Sequence, residues 1–111
     1  MSTLSTHILD AVSGLPATSV RVALDRRDGD GWQPFGEAVT DDDGRVRDLA
    51  PSGLGAGVHR LVFATGAYFT ATGQTGFYPE VSVVFEVTDP GRHYHVPLLL
   101  SPFAFSTYRG S

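Results

Sequence analysis

Histidine, arginine and hydroxyl side chains supply most of the chemistry that this chain can perform. Cys is absent and all eight basic residues are Arg, which excludes a thiolate nucleophile, a Cys-based metal site and a lysine Schiff base. Proton transfer near neutral pH therefore falls to the four histidines, because imidazole titrates near pH 6.5. Arginine can stabilise negative charge through its planar set of donors.

Three of these residues are candidate site residues. His7 lies in LSTHILD, His95 lies in HYHVPLLLSP, and Arg45 directly follows the turn sequence DDDG. By pattern alone, a solvated strand histidine is the better interpretation of His7, and a turn residue at a solvated edge is the better interpretation of Arg45. His59 follows a glycine-rich segment and has no evident partner, so we interpret it as structural.

Two segments resemble metal sites. His93 and His95 form an H-x-H pair, which is also how zinc sites are built, but no third ligand with matching spacing is evident. Asp41, Asp42 and Asp43 precede a glycine as in a calcium loop, but the alternate-position spacing and the later bidentate Glu are missing. No metal site is therefore expected, and the acidic run predicts a hairpin turn.

Length and charge limit the class of protein. At 111 residues the chain is expected to form a single domain over 1–111. A net charge of −4 and scattered arginines exclude a basic nucleic-acid-binding face. The N-terminal sequence has no secretory pattern, and no apolar run is long enough to span a bilayer, so we expect a cytoplasmic protein with no membrane partner.

Short runs of alternating apolar and polar residues predict an all-β fold. Val20, Val22 and Leu24 alternate with polar or small residues, and turn signals such as DRRDGDGW and TDPGR separate the runs. Strands are predicted near 4–10, 20–26, 32–40, 45–48, 59–65, 81–88, 92–101 and 103–109. Many short strands at this spacing indicate a sandwich or a barrel. One helix of about two turns is predicted between Gly66 and Gly73.

The run HYHVPLLLSP is apolar on both faces. Alternate residues such as Val96 and Leu98 point one way, whereas His95, Pro97 and Leu99 point the other. A sheet that is apolar on both faces needs a cover on each, and the chain has few helical residues to provide one. We therefore expect an oligomer whose covered outer face includes His95 and Leu99.

The same alternation brings the candidate residues together. Ser5, His7 and Leu9 share one face of their strand, and Ser106 and Tyr108 share a face near the C-terminus. If these strands belong to one sheet with residues 92–101, then the side chains at 7, 95 and 108 converge on one surface.

Four stretches together resemble one family: LSTHILDAVSGLPA, DDDGR, HYHVPLLLSPF and the terminal STYRGS. The chain is similar over essentially its whole length to the 5-hydroxyisourate hydrolases, the enzyme branch of the transthyretin-like proteins. Its most specific mark is the terminal tetrapeptide Tyr108, Arg109, Gly110, Ser111. Transthyretin itself carries other residues at positions 7, 45, 95 and 108, where this chain has those of the enzymes.

The resemblance implies a fold, an activity and an assembly. The fold is a transthyretin-like two-sheet β-sandwich of about eight strands with one short helix. The activity is ring opening of 5-hydroxyisourate, the product of urate oxidation, to 2-oxo-4-hydroxy-4-carboxy-5-ureidoimidazoline, with no cofactor and no metal. The assembly is a homotetramer, a dimer of dimers, whose active sites lie in the channel between dimers.

The resemblance also implies the site residues. The catalytic set is His7, Arg45 and His95, with a water activated within the histidine pair and Arg45 stabilising negative charge. The substrate-binding set is His7, Arg45, Tyr108, Arg109, Gly110 and Ser111. Which histidine acts as base stays open, with His7 placed near the leaving nitrogen. The alternative function is a non-catalytic small-ligand carrier on the same sandwich, since a fold alone does not fix a function.

Overall fold

The structure is a computed structural model that describes residues 3–110, and its secondary structure is mostly β. Within that range the chain forms nine strands and one helix: β1 (Thr3–Asp10), β2 (Leu15–Pro16), β3 (Arg21–Asp28), β4 (Gly31–Val39), β5 (Arg45–Val46), β6 (Gly57–Phe63), α1 (Thr65–Ala71), β7 (Val81–Val87), β8 (His93–Ser101) and β9 (Ala104–Thr107).

The strands form two sheets that pack around one apolar core. The five-stranded sheet has the order β2-β1-β8-β9, with β5 also paired to β1, and the four-stranded sheet has the order β4-β3-β6-β7. Strands β1 and β8 run parallel, and the other pairs are antiparallel. This architecture confirms the predicted two-sheet sandwich with one short helix, and all eight predicted strands are present.

Period-2 alternation decides which side chains enter the core. In β1, Leu4 and Ile8 are fully buried, while Ser5 and His7 on the opposite face are only partly buried. Strand β8 buries Leu98 completely in the same way. Burial of each such aliphatic side chain contributes about 1.5–3 kcal/mol to folding. The apolar face therefore anchors both strands and turns Ser5 and His7 outward.

The structure corrects the prediction of a hairpin at residues 41–44. The turn is present, and the amide of Gly44 donates to the carbonyl of Asp41 at 2.9 Å. However, β4 before it belongs to the four-stranded sheet and β5 after it belongs to the five-stranded sheet. The turn therefore carries the chain from one sheet to the other, because β5 pairs with β1 rather than with its sequence neighbour.

The last predicted strand is shorter than expected, because β9 ends at Thr107 rather than at residue 109. The register of β9 against β8 would next pair Pro97 with Tyr108. Proline has no amide hydrogen to donate, so the ladder is interrupted at that pair. Pairing resumes in the same register at Gly110, whose amide donates to the carbonyl of His95 at 2.8 Å.

Helix α1 connects β6 to β7 and buries Thr65, Tyr68 and Phe69. The hydroxyl of Tyr68 donates to the buried carboxylate of Asp10 at 2.7 Å, which ties the helix to the end of β1. None of the helical segments in the described range has the length and hydropathy required to cross a bilayer.

Candidate active site

Two strand pairings place the candidate residues in rows across the outer face of the five-stranded sheet. Arg45 on β5 lies directly opposite His7 on β1, and His7 in turn lies opposite Pro97 on β8. The next row joins Ser5 on β1 with His95 on β8. His7 and His95 are therefore diagonal neighbours, with Cα atoms about 8 Å apart in a sheet of ordinary spacing.

The acidic turn determines where Arg45 lies. A carboxylate oxygen of Asp41 accepts from the amides of Asp43 at 2.9 Å and of Arg45 at 3.0 Å. These hydrogen bonds lower the pKa of the Asp41 carboxyl, with the Arg45 amide contributing most. Gly44 has φ +72°, and a Cβ there would lie 2.5 Å from the Ile8 carbonyl oxygen. Only glycine combines that backbone angle with so close an approach to β1.

His95 is held on two sides. Its Nδ1 lies 2.7 Å from the hydroxyl of Ser5, and its Cδ2 edge faces Gly110, where an added Cβ would lie only 2.5 Å away. Within residues 3–110 its Nε2 forms no hydrogen bond, so of the two ring nitrogens it is the one that these residues leave to water or to a ligand.

The surroundings of His95 disfavour its charged form. Burial lowers the pKa of His95 below its usual 6.5, and the charges of Arg45, His93 and His7 lower it further, while a contact with the Ser5 backbone acts in the opposite direction. A neutral imidazole at neutral pH is the form that can accept a proton.

In the segment that follows β9, only every second residue lies on the outer face of the five-stranded sheet. Continuing the β9 register places Tyr108 and Gly110 on the same face as His95, and Tyr108 remains 59% exposed. Arg109 is on the opposite side, with its guanidinium carbon 5.0 Å from the ring centroid of Tyr94. The structure thus does not bring Arg109 to the histidines, and Ser111 lies outside the described residues.

Sequence reasoning missed the hydrogen bonds that lead away from His95. The Ser5 hydroxyl contacts Nδ1 of His95 and also Nε2 of His93, and His93 in turn contacts the hydroxyl of Thr3. Alternation along β1 already places the side chain of Ser5 on the face of His7. The parallel register of β1 with β8, which the sequence does not reveal, was needed to find these contacts.

Two hollows lie near this face. One of about 210 Å³ is lined in part by Ser5, Arg45 and His93. Another of about 180 Å³ lies between β7 and the terminal segment, with His95, Tyr108 and Arg109 in its wall. Arg45 lines the first hollow and His95 lines the second, so we place the candidate site on the sheet face that these two residues share.

Within residues 3–110, no three His, Asp or Glu side chains lie close enough together to hold a metal ion. The side chains of the cluster itself bring a neutral imidazole, a second histidine and a guanidinium to one surface. A base, a proton donor and a fixed cation are the groups that hydrolysis of an acyl bond requires.

Comparison with known proteins gives a consistent result. The model of the HIUase/Transthyretin family matches residues 4–110. A 5-hydroxyisourate hydrolase of Caulobacter vibrioides is 48% identical, over the full length of both chains. The solved structure of Klebsiella pneumoniae 5-hydroxyisourate hydrolase is 39% identical and aligns with a TM-score of 0.89, covering all of this chain and 94% of that one.

Sea bream transthyretin, solved in complex with thyroxine, is equally similar in fold. It is 41% identical with a TM-score of 0.90, covering 96% of this chain and 93% of that one. Solved structures of both branches, a hydrolase and a transthyretin, thus align with this sandwich over nearly its whole length. The chain belongs to the HIUase/Transthyretin family.

Proposed function

We propose that this protein hydrolyses 5-hydroxyisourate to 2-oxo-4-hydroxy-4-carboxy-5-ureidoimidazoline, a step of urate degradation, without a cofactor. The observation that carries the proposal is the placement of His7, Arg45 and His95 on one sheet face in a chain so similar to 5-hydroxyisourate hydrolases. The reaction breaks a cyclic acyl–nitrogen bond. It needs a base for water, an acid for the leaving nitrogen and a group that stabilises the oxyanion.

His95 is assigned as the base. Its Nδ1 is occupied by the Ser5 hydroxyl, which leaves Nε2 as the nitrogen for water, and its lowered pKa keeps the ring neutral around pH 7. A water at Nε2 can lose a proton to the ring as its oxygen attacks the carbonyl carbon, which forms the tetrahedral oxyanion.

Arg45 and His7 act on the other parts of the substrate. Arg45 stabilises the oxyanion with its fixed positive charge, since it lies directly across from His7 on the same face. His7 donates a proton to the leaving nitrogen as the acyl–nitrogen bond breaks. Because the two histidines are diagonal neighbours rather than a contacting pair, a small ring can lie between them.

The terminal segment completes the binding surface. Tyr108 lies on the face of His95, where its hydroxyl would be offered to the substrate, and Gly110 lies close against the His95 ring. We include Ser111 among the binding groups from the family resemblance alone. Arg109, which contacts Tyr94 within this chain, is assigned to the substrate only by the same resemblance.

Gly110→Ala is expected to lower kcat about tenfold to a hundredfold, because the new Cβ must displace the His95 ring and small misplacements at a reacting centre are costly. The midpoint of thermal unfolding should change little. Gly31→Ala is the control, since a Cβ there meets its nearest neighbour at an ordinary 3.8 Å. Equal activity of the two variants in steady-state assays would show that His95 does not need this contact.

The direct test of the activity is an absorbance assay with freshly generated 5-hydroxyisourate. Decay of the substrate must exceed the spontaneous rate in proportion to protein concentration, and the ureidoimidazoline product must accumulate. Decay at the spontaneous rate over the pH range 6–8 would refute the proposed function.

A second candidate function is small-ligand binding without catalysis, which the similarity to a thyroxine-bound transthyretin favours. Calorimetry with thyroxine distinguishes the two functions when combined with the decay assay. Tight thyroxine binding with no acceleration of decay would identify a carrier. The cluster of His7, Arg45 and His95 argues for the hydrolase, because a carrier of apolar ligands has no need of titratable groups there.

The active assembly is proposed to be a homotetramer, a dimer of dimers, with the outer face of the five-stranded sheet in the channel between dimers. Leu99 on that face is 36% exposed in the single chain. A large apolar side chain on the face that carries the site fits a surface that a partner covers.

Leu99→Asp is expected to shift the assembly to smaller species, because the interface would bury a carboxylate without a partner. Val84→Asp, at an exposed position of the other sheet, serves as the control. Light scattering after size exclusion at micromolar concentration measures both. A wild-type mass of 11.9 kDa, that of one chain, would contradict the proposed assembly.

A further inference from the structure

A continuous line of hydrogen bonds leads from His95 to the edge of the site. The Ser5 hydroxyl lies 2.7 Å from His95 Nδ1 and 2.9 Å from His93 Nε2, and His93 Nδ1 lies 2.5 Å from the hydroxyl of Thr3. His95 is half-buried, whereas His93 is exposed. The line therefore connects the shielded ring to a ring in contact with solvent.

Ser5 stands at the centre of this line and has only one hydroxyl proton. It can donate to one of the two histidines, and it must then accept from the other. If it donates to His95 Nδ1, then His95 carries its own proton on Nε2. If it donates to His93 Nε2, then His95 Nδ1 carries the proton and Nε2 presents a lone pair. The orientation of one hydroxyl thus sets the tautomers of both rings.

We propose that Ser5 is a positioning residue that fixes the His95 ring and couples its tautomer to that of His93, so that Nε2 of His95 is presented as a base. This inference rests on the proposed hydrolysis, in which His95 Nε2 accepts the proton of the attacking water. Ser5 does not touch the substrate in this scheme and acts only through Nδ1.

The coupling also allows the charge to leave His95. When Nε2 takes a proton from water, the N–H bond at Nδ1 breaks and its proton passes to the Ser5 oxygen. The original hydroxyl proton of Ser5 moves to His93 Nε2, so the positive charge now lies on His93. His93 then releases a proton from Nδ1 to solvent, either directly or through the Thr3 hydroxyl, which gives up its own proton as it accepts that one, and His95 is left neutral with its proton on Nε2. Each proton that enters the line is matched by one that leaves.

Kinetics of Ser5→Ala and Ser5→Thr test the proposal. Ser5→Ala removes the hydroxyl and is expected to lower kcat about tenfold with little change in KM, since one hydrogen bond is lost at each ring. Ser5→Thr keeps the hydroxyl and should restore most of the activity, because threonine is favoured in strands. Ser82→Ala, at an exposed strand position of the other sheet, controls for loss of a strand serine.

Nitrogen chemical shifts of the histidine rings in the ¹⁵N-labelled protein provide a readout that is independent of turnover. In Ser5→Ala the nitrogen shifts of His95 are expected to report either the other tautomer or an average of the two tautomers. In Ser5→Thr they are expected to return towards the wild-type values. Wild-type kcat and unchanged ring shifts in Ser5→Ala would overturn the proposal, as would equal losses in Ser5→Ala and Ser82→Ala. If the wild-type protein itself fails to accelerate decay, the proposed function fails instead, and the ring shifts still test the coupling.

Discussion

His95→Ala is expected to lower kcat/KM for 5-hydroxyisourate about a hundredfold or more, and His7→Ala should do the same, since a positioned acid or base is worth about 10²–10⁴ in rate. Both side chains project from the outer face of the sheet while their strands are anchored by buried residues such as Ile8 and Leu98. Thermal unfolding should therefore change much less than activity. Initial rates above the spontaneous decay measure the effect.

The double variant distinguishes a cooperating pair from two independent groups. If His7 and His95 act on the same transition state, then removing the second histidine should cost far less than removing the first. Fully multiplicative losses would contradict shared proton transfer. Losses below about threefold in both single variants would exclude the assignment of either histidine to the chemistry.

The fold could be predicted from the sequence because its signals are local. Alternation in β1 and β8 identifies the buried side of each strand, and Asp-Gly pairs identify the turns. Strand β2 was missed because two residues carry no periodicity. The hairpin assigned to residues 41–44 was wrong because pairing partners are chosen across the whole chain, and β5 gains its hydrogen bonds from β1.

For the site, the sequence predicts only the strand face on which each candidate residue lies. Alternation puts His7, His95 and Tyr108 outward, but the opposition of Arg45 and His7 depends on a register between segments almost forty residues apart. The same alternation implies that Arg109 must point away from its two neighbours, as the contact with Tyr94 shows. The family resemblance treated the tetrapeptide as one unit and so concealed this difference.

Ser5 illustrates what neither alternation nor resemblance supplies. Its hydroxyl lies between two imidazole rings because β1 and β8 are parallel neighbours with Ser5 opposite His95. Serine is common on exposed strand faces, so nothing in the sequence separates it from Ser82. A contact between side chains needs both a register and rotamers, and only the folded chain provides them.

Arg45→Met is expected to lower kcat/KM about a hundredfold, because it removes the cation that stabilises the developing oxyanion, and loss of one such group costs about 10²–10³. Arg45→Lys should recover only part of this loss, since lysine keeps the charge but not the planar fork of donors. Arg21→Met is the matched control. Its guanidinium lies on the other sheet in an exposed pair with Glu37, and its removal should leave the rate nearly unchanged.

The same variants make a prediction about pH. Burial is the largest cause of the lowered pKa of His95, and the charged and titratable groups that lower it further are Arg45 on β5, His93 on β8 and His7 on β1. An imidazole that acts as a base must be neutral, so wild-type activity should persist below pH 6.5 and fall only as the pH drops through the lowered pKa of His95.

Arg45→Met removes one cause of the lowered pKa. The acid limb of its pH profile must therefore move to higher pH, whereas the acid limb of Arg21→Met must not. Profiles of kcat/KM between pH 5 and 8 measure both limbs. If the acid limb of Arg45→Met stays in place, the base is a group whose pKa Arg45 does not lower. That result would contradict the assignment of His95 as the base.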